Sequence, residues 1–374
     1  MPTVLVKPVG DRCNLACRYC FYHPGTGSPE AVMEDDVLEA MTRRFLALGE
    51  SPTIFAWQGG EPTLAGLDFF RRALVLQRRF AAEGQRVANT LQTNGLLMND
   101  DWASFLAEND FLVGLSIDGP AECHDVFRRG RNNNPSHSLA LRAWRLLQRR
   151  GCAVNILCVV NNANHNRPAE IYHHFTDELR ADHLQFIPCV EWDPGGEIAG
   201  FSLQPGEYGR FLVALFDLWA AETEREISIK LFDDLVLFLA GKPMRECMHR
   251  ASCDSHLVVE RDGSVYPCDF FVTDDLRLGK ILDQDPAELR ALPRARGFRE
   301  QKAKHLSTSC RECCHLDICQ GGCPKFRRPQ PEGGFRQYLC SDTRYFLDQR
   351  RPAMERMAAS LRARWREWGA PRVP

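Results

Sequence analysis

The sequence lacks almost every feature that would set it apart from an ordinary soluble globular protein. No apolar run approaches the roughly 20 residues needed to cross a bilayer. The N-terminus has no apolar segment ending in a small-residue cleavage site, so neither a membrane span nor an export signal is expected, and the expected compartment is the cytoplasm. Positive charge is not in excess: 47 Lys and Arg stand against 49 Asp and Glu, a net of −2. Nothing is left over to track a phosphate backbone, which argues against nucleic acid as a partner. Internal repeats and low-complexity linkers are missing as well, and with 44% hydrophobic and 26% charged residues the chain is neither disordered nor collagen-like. Its 374 residues suffice for two or at most three domains of roughly 100–200 residues each.

What the sequence has in quantity is cysteine, 16 in all. In a reducing compartment that number points to metal or redox use rather than a disulfide framework. Cys13, Cys17 and Cys20 lie together at the start, Cys123, Cys152, Cys158 and Cys189 are scattered, and the remainder fall between Cys247 and Cys340.

The first half alternates short β-rich runs with helical periods. The runs are Val4–Val9, Thr53–Trp57, Asn89–Gln92, Leu112–Ile117, Asn155–Val160 and His183–Val190. Apolar spacing at Val37, Met41, Phe45 and Leu48, and again at Leu139, Ala143, Leu146 and Leu147, marks two of the helices between them. Six βα units predict a parallel sheet, either an incomplete barrel or an open doubly wound sheet, with ligands gathered at the carboxyl ends of the strands. The informative motifs fall there: Gln58-Gly59-Gly60-Glu61-Pro62, Gln92-Thr93-Asn94-Gly95 and Ser116-Ile117-Asp118-Gly119-Pro120. The pattern fades after a helix expected over Gly206–Thr223, and a boundary is expected between residues 227 and 228. Beyond it a hairpin is expected around Asp262-Gly263, from Leu257–Glu260 to Val265–Cys268. A final helix is expected over Thr343–Glu367.

Directly after the first strand, Cys13-Asn14-Leu15-Ala16-Cys17-Arg18-Tyr19-Cys20 is a CxxxCxxC run. Three thiolates on one loop suit a [4Fe–4S] cube with one iron left open, or a zinc ion with one distant ligand. Gly59-Gly60-Glu61-Pro62 alone reads equally well as a glycine turn. Taken together, the two motifs resemble the radical S-adenosylmethionine (SAM) superfamily. The resemblance implies a cluster on Cys13, Cys17 and Cys20, with Tyr19 by the adenine and Gly59 to Pro62 holding the methionine amino group. Further on, Cys247-x5-Cys253-x14-Cys268 and Cys310-x2-Cys313-x5-Cys319-x3-Cys323-x16-Cys340 resemble a SPASM domain. That likeness implies two auxiliary [4Fe–4S] clusters, one on Cys247, Cys253, Cys268 and Cys323 and one on Cys310, Cys313, Cys319 and Cys340, making three clusters in all. Cys314 is left as a spare thiol.

Along nearly the whole chain, Cys20-Phe21-Tyr22-His23, Gln58 to Leu67, Leu91 to Gly95, Phe111 to Ser116, Asn155 to Val160 and Asp262 to Phe270 resemble the anaerobic sulfatase-maturating enzymes. The implied fold is an incomplete (β/α)6 TIM-like barrel over residues 1–227, followed by a cysteine-rich SPASM domain over 228–374 that ends in a helix. The implied reaction oxidises a Cys or Ser side chain to Cα-formylglycine. Its substrate would be a protein or peptide with a sulfatase-type C/S-x-P/A-x-R segment, and a flavodoxin- or ferredoxin-like protein would donate electrons. A maturase that cross-links ribosomally made peptides is the alternative; the early Cys13 leaves no room for the leader-binding domain common in that group.

By position, Gly60, Glu61, Ser116, Arg128 and the Val190 main chain would line the SAM pocket with Tyr19. Arg142 is a second candidate for the methionine carboxylate, against the plainer reading of a solvated helix arginine. Asp269, next to Cys268, resembles the proposed general base, where the alternative is a hairpin-end carboxylate. Tyr22, Gln58, Gln92 and Asn94 are polar groups at strand ends that would hold the substrate backbone or serve the fold. Two departures from the family, the loop Arg129–Pro135 (RGRNNNP) and the lack of a further cysteine after Gly-Gly-Cys in Gly321–Arg327, are expected to touch no ligand position and to lie at the peptide entrance.

Overall fold

The structure is a computed structural model that describes residues 3–22 and 31–367; His23 lies outside the described residues. Its strands are β1 (Thr3–Val6), β2 (Thr53–Trp57), β3 (Val87–Thr93), β4 (Leu112–Ser116), β5 (Ala153–Val160), β6 (His183–Pro188), β7 (Ser228–Ile229), β8 (His256–Val259), β9 (Ser264–Tyr266), β10 (Gly279–Lys280), β11 (Arg327–Pro329) and β12 (Phe335–Gln337). All six strands read from the first half are present, with shifted ends. The chain forms two compact units, residues 1–157 with 253–301, and residues 158–252 with 302–374.

In the first unit the strand order is β10-β9-β8-β1-β2-β3-β4-β5. Every pair from β8 to β5 is parallel, whereas β8–β9 and β9–β10 are antiparallel. Val4, Val6, Phe55, Leu91, Val113, Leu115 and Ile156 are fully buried, as the near-continuous apolar runs of a parallel sheet covered by helices require. The helix Asp35–Leu46 buries Val37, Leu38, Met41 and Phe45, and the helix His137–Arg149 buries Ala140, Ala143, Trp144 and Leu147. Asn99 caps the helix Asp100–Glu108, its side chain accepting from Trp102 N at 2.9 Å.

The expected hairpin forms, its turn eased by Gly263 at φ 77°. What the spacing did not reveal is where it attaches. β8 lies parallel to β1, Thr3 opposite His256 and Val6 opposite Val259. That pairing draws residues 253–301 into the first unit, so packing divides the chain differently from the boundary expected between 227 and 228.

In the second unit β6 and β7 are parallel, with Leu184 opposite Ile229. The helices Glu207–Ala221, Lys230–Leu239 and Cys340–Glu367 share an aromatic core. Phe346 lies 6.1 Å from Phe216 and stacks on Phe232 at 5.6 Å. The last helix begins at Cys340, earlier than its apolar stripe indicates. Among the described residues no helix is long and apolar enough to cross a membrane.

Candidate active site

Residues after β2 and β3 converge on the loop that carries the first three cysteines. Gly60 N donates to Gly10 O and Glu61 N to Arg12 O, each at 2.8 Å. A Cβ on Gly60 would stand 1.9 Å from Arg12 O, so only glycine lets these two loops meet. Glu61 is 1% exposed. Its carboxylate accepts from Thr63 N at 3.1 Å, Thr63 Oγ1 at 2.6 Å, Thr93 Oγ1 at 2.7 Å and Asn94 N at 2.8 Å. Burial raises its pKa against these four donors. Glu61 is therefore a positioning residue that ties the ends of β2 and β3 to the cysteine loop. Asn94 does similar work: its amide donates to Asn14 Oδ1 at 2.7 Å and lies 3.7 Å from Cys13 Sγ.

The thiols face one another electrostatically. The Cys13 thiol is pushed up to about 12, mainly by burial, with Glu61, Cys17 and Cys20 adding to the rise. Cys17 is pushed up to about 11, again mainly by burial, with Arg128 lowering it and Cys20 and Asp118 adding to the rise. Such thiols stay protonated at neutral pH until a cation arrives, and a bound metal centre removes those protons outright. Three sulfurs on one loop, with Leu15 N–H 3.4 Å from Cys13 Sγ, make a donor set that fits an iron–sulfur cluster.

A buried polar network stands beside this loop. Tyr19 OH donates to Asp118, Arg128 Nε donates to the same carboxylate at 3.0 Å, and the Arg128 guanidinium lies 5.5 Å from the Tyr19 ring centre. Burial, above all, keeps the Tyr19 phenol protonated. Ser116 is buried at the end of β4. The sequence motif contains Asp118, but nothing in it says that this carboxylate would join Tyr19 to Arg128. Arg142 does not join them: it is exposed on its helix, and the expectation of a pocket arginine there gives way to a solvated one. Val190 is fully buried in the second unit, and Gln92 is exposed on β3.

A second polar group forms around the hairpin. Tyr22 OH donates to the two Glu260 oxygens at 2.8 and 2.7 Å, and Lys7, 1% exposed, lies 4.1 Å from the Tyr22 ring centre. The Tyr22 hydroxyl, read as a backbone holder, is committed to Glu260 here. Gln58 Nε2 donates to Asp269 Oδ2 at 3.2 Å. His256, Cys268 and Asp269 bring a nitrogen, a sulfur and an oxygen within 4.8 Å of one another. Burial lowers the His256 pKa, and Asp269 works against that. A cavity of about 230 Å³ opens between Cys253 and His256.

Of the other C-terminal cysteines, Cys253 and Cys268 belong to the first unit and Cys247 and Cys323 to the second. Cys310, Cys313, Cys319 and Cys340 all belong to the second. There the Cys319 thiol is pushed up to about 11 by burial, then by Cys340, Cys310 and Cys313, so the four form one group. Gly321 and Gly322, both at positive φ, turn the chain behind Cys319; a Cβ on Gly322 would stand 1.6 Å from Gln337 Oε1. Two buried cations hold this region. Lys302 Nζ donates to Cys247 O at 3.0 Å and Met248 O at 2.8 Å, and Arg327 donates to Gly321 O at 2.9 Å and Lys302 O at 2.7 Å. Cys314 is exposed, its sulfur within 4.8 Å of groups on His315 and Asp348.

Residues 8–175 match the radical SAM superfamily and residues 247–314 an iron–sulfur cluster-binding SPASM domain. The protein is thus a radical SAM enzyme with a SPASM domain. It is similar to the cysteine-type anaerobic sulfatase-maturating enzyme of Clostridium perfringens strain 13, 38% identical over 96% of this chain and 99% of that one. It is also similar to the serine-type anaerobic sulfatase-maturating enzyme of Bacteroides thetaiotaomicron, 34% identical over 96% of this chain and 91% of that one. A solved structure of native anSMEcpe with bound AdoMet superposes with a TM-score of 0.89 at 36% identity, covering 96% of this chain and 100% of that one. The chain belongs to the anaerobic sulfatase-maturating enzymes.

Proposed function

We propose that the protein oxidises a Cys or Ser side chain of a sulfatase-type protein or peptide to Cα-formylglycine. The observation that carries this reading is Asp269. Its carboxylate is fixed by Gln58 from the end of β2 and stands beside Cys268. Both residues belong to the unit that carries the Cys13 loop. A peptide substrate is supported by the solved complex of native anSMEcpe with AdoMet and the Cp18Cys peptide, which superposes with a TM-score of 0.89.

Cys13, Cys17 and Cys20 would hold the cluster that SAM completes, and together these cofactors supply the one-electron chemistry that removes a hydrogen atom from the target Cβ. The remaining work belongs to the chain. Tyr19, locked by Asp118 and Arg128, presents a fixed aromatic face for the adenine. Glu61 and Asn94 hold the Gly59–Pro62 turn and the cysteine loop in register, and a register error of even about 1 Å costs catalysis heavily. Asp269 takes the thiol or hydroxyl proton of the target, a role worth roughly 10²–10⁴-fold in rate. Gln58 keeps its oxygen aimed by donating to the other one. Eight C-terminal cysteines would hold two fully ligated auxiliary clusters with no iron left open for SAM.

Anaerobic incubation with C/S-x-P/A-x-R peptides, SAM and a reductant tests the reading. A serine peptide should lose two hydrogens, and a cysteine peptide should exchange its sulfur for an aldehyde oxygen, as read by mass spectrometry. An unchanged peptide mass alongside steady 5′-deoxyadenosine release would overturn the substrate. A new cross-link without aldehyde would move the protein to the peptide maturases.

A further inference from the structure

The segment Arg129–Pro135, expected at the peptide entrance, is instead stitched to the cysteine loop. Ala16 N donates to Arg129 O at 2.8 Å, Arg18 N donates to Phe127 O at 3.1 Å, and Arg131 Nε donates to Cys13 O at 3.0 Å. It therefore touches the backbone of a cluster ligand, which corrects the expectation that it stands apart from them. The two segments enclose an open concavity of about 420 Å³ lined by Arg18, Arg129, Arg131, Val126, Ala16 and Phe127 among others. Arg18 and Arg131 are exposed, and the Arg18 guanidinium lies 5.5 Å from the Phe127 ring centre. Arg129 is fixed by the carbonyls of Asp125 at 2.6 Å and Asn133 at 2.8 Å. The Asp125 carboxylate is turned away, accepting from Ser136 N at 2.7 Å and His137 N at 3.0 Å. Among the described residues, three guanidinium groups and no carboxylate line this one hollow, on a chain whose net charge is −2. The same lining includes the exposed side chains of Ala16 and Val126, the latter 40% exposed.

We propose that this hollow is the docking site of an acidic, flavodoxin-type electron carrier. The inference rests on the radical SAM reading above. Three cations beside exposed apolar side chains complement a protein that surrounds the dimethylbenzene edge of a flavin with carboxylates. Ala16 and Arg18, from the loop that holds Cys13, Cys17 and Cys20, line the hollow, and that loop is where an electron has to arrive. Each delivery takes one electron from the flavin hydroquinone, leaving the semiquinone. Opposite charges steer the encounter and make it sensitive to salt.

The test uses the iron-loaded enzyme and a purified bacterial flavodoxin. Affinity is measured by anaerobic calorimetry, and 5′-deoxyadenosine formation is followed with flavodoxin hydroquinone and, separately, with dithionite, a small reductant that needs no docking. Arg18→Glu should weaken flavodoxin binding at least about tenfold, flatten its salt dependence and slow flavodoxin-driven cleavage, with the dithionite rate retained. Because Arg18 lies within the cysteine loop, Val126→Glu, outside it, is the second variant and should do the same. Arg71→Glu, an equal charge reversal on a distant exposed helix, should change nothing. Unaltered flavodoxin affinity in both hollow variants would overturn the proposal. Absence of dithionite-driven cleavage in the unmodified enzyme would instead overturn the radical SAM reading beneath it.

Discussion

The first three cysteines and the last four are built on opposite plans. Cys13, Cys17 and Cys20 share one loop, and that loop is held from outside by the backbone of Gly60 and Glu61 after β2 and by the Asn94 amide after β3. Cys310 and Cys319 sit on two short helices, Cys313 on the connection between them, and Cys340 is the first residue of a long helix. The first set would leave room for a fourth ligand that is not protein. The second would complete its own coordination. The contrast teaches that ligand count is matched by scaffolding: an open centre needs neighbours that hold a second molecule, and a closed centre needs only its own fold.

The comparison breaks most visibly if the two sets can be exchanged. Replacing Cys13, Cys17 and Cys20 with Ala should abolish SAM cleavage and lower iron from about twelve to about eight per chain, read by 5′-deoxyadenosine chromatography and metal analysis. Cleavage that persists in this variant would show that another set of cysteines binds SAM. Replacing Cys310 and Cys313 should cost the same iron yet leave cleavage in place, with aldehyde per 5′-deoxyadenosine falling to near zero. A wild-type ratio would mean the closed cluster plays no part in oxidation.

Asp269→Asn sharpens the comparison between hydrogen removal and oxidation. Aldehyde formation should fall about 10²–10⁴-fold, while deuterium at the target Cβ still reaches 5′-deoxyadenosine. Iron content is measured in parallel, because Cys268 adjoins the substitution. Asp118→Asn attacks the network that only the open set possesses. Breaking a buried ion pair costs about 3–5 kcal/mol, so the melting temperature should drop and the KM for SAM rise about tenfold, without loss of iron. The smallest effects come from the glycines. Gly60→Ala forces a Cβ toward Arg12 O and should slow SAM cleavage. Gly322→Ala should leave cleavage intact and lower only aldehyde yield; equal effects on both steps would erase the distinction.

Much of this was legible before any coordinates. Strong apolar runs and glycine-marked turns fix strands locally, so β1 to β6 and the hairpin were visible, and the cysteine spacings announced their chemistry. The pairing of β8 with β1 was not legible, because a strand's partner across some 250 residues is chosen by tertiary packing rather than local pattern. Asp118 was visible as a residue and invisible as a link, since its role depends on Tyr19 and Arg128 arriving from two other segments. Arg129–Pro135 misled for a related reason: a polar Asn-rich loop gives no sign of which surface its backbone will bond.

Asp342, fully buried two residues after Cys340, accepts from Gly206 N and Gly209 N, each at 2.8 Å. Both partners begin the helix Glu207–Ala221, and a Cβ on Gly209 would stand 2.9 Å from the Asp342 backbone. The position of Cys340 is thus set by a carboxylate clasp that owes nothing to iron. A small zinc module must fold around its metal, whereas Cys340 is held by protein contacts that a metal centre does not supply. The expected consequence is that loss of a cluster leaves Cys340 placed to take up another, which recovery of iron on anaerobic reconstitution of the stripped protein would check.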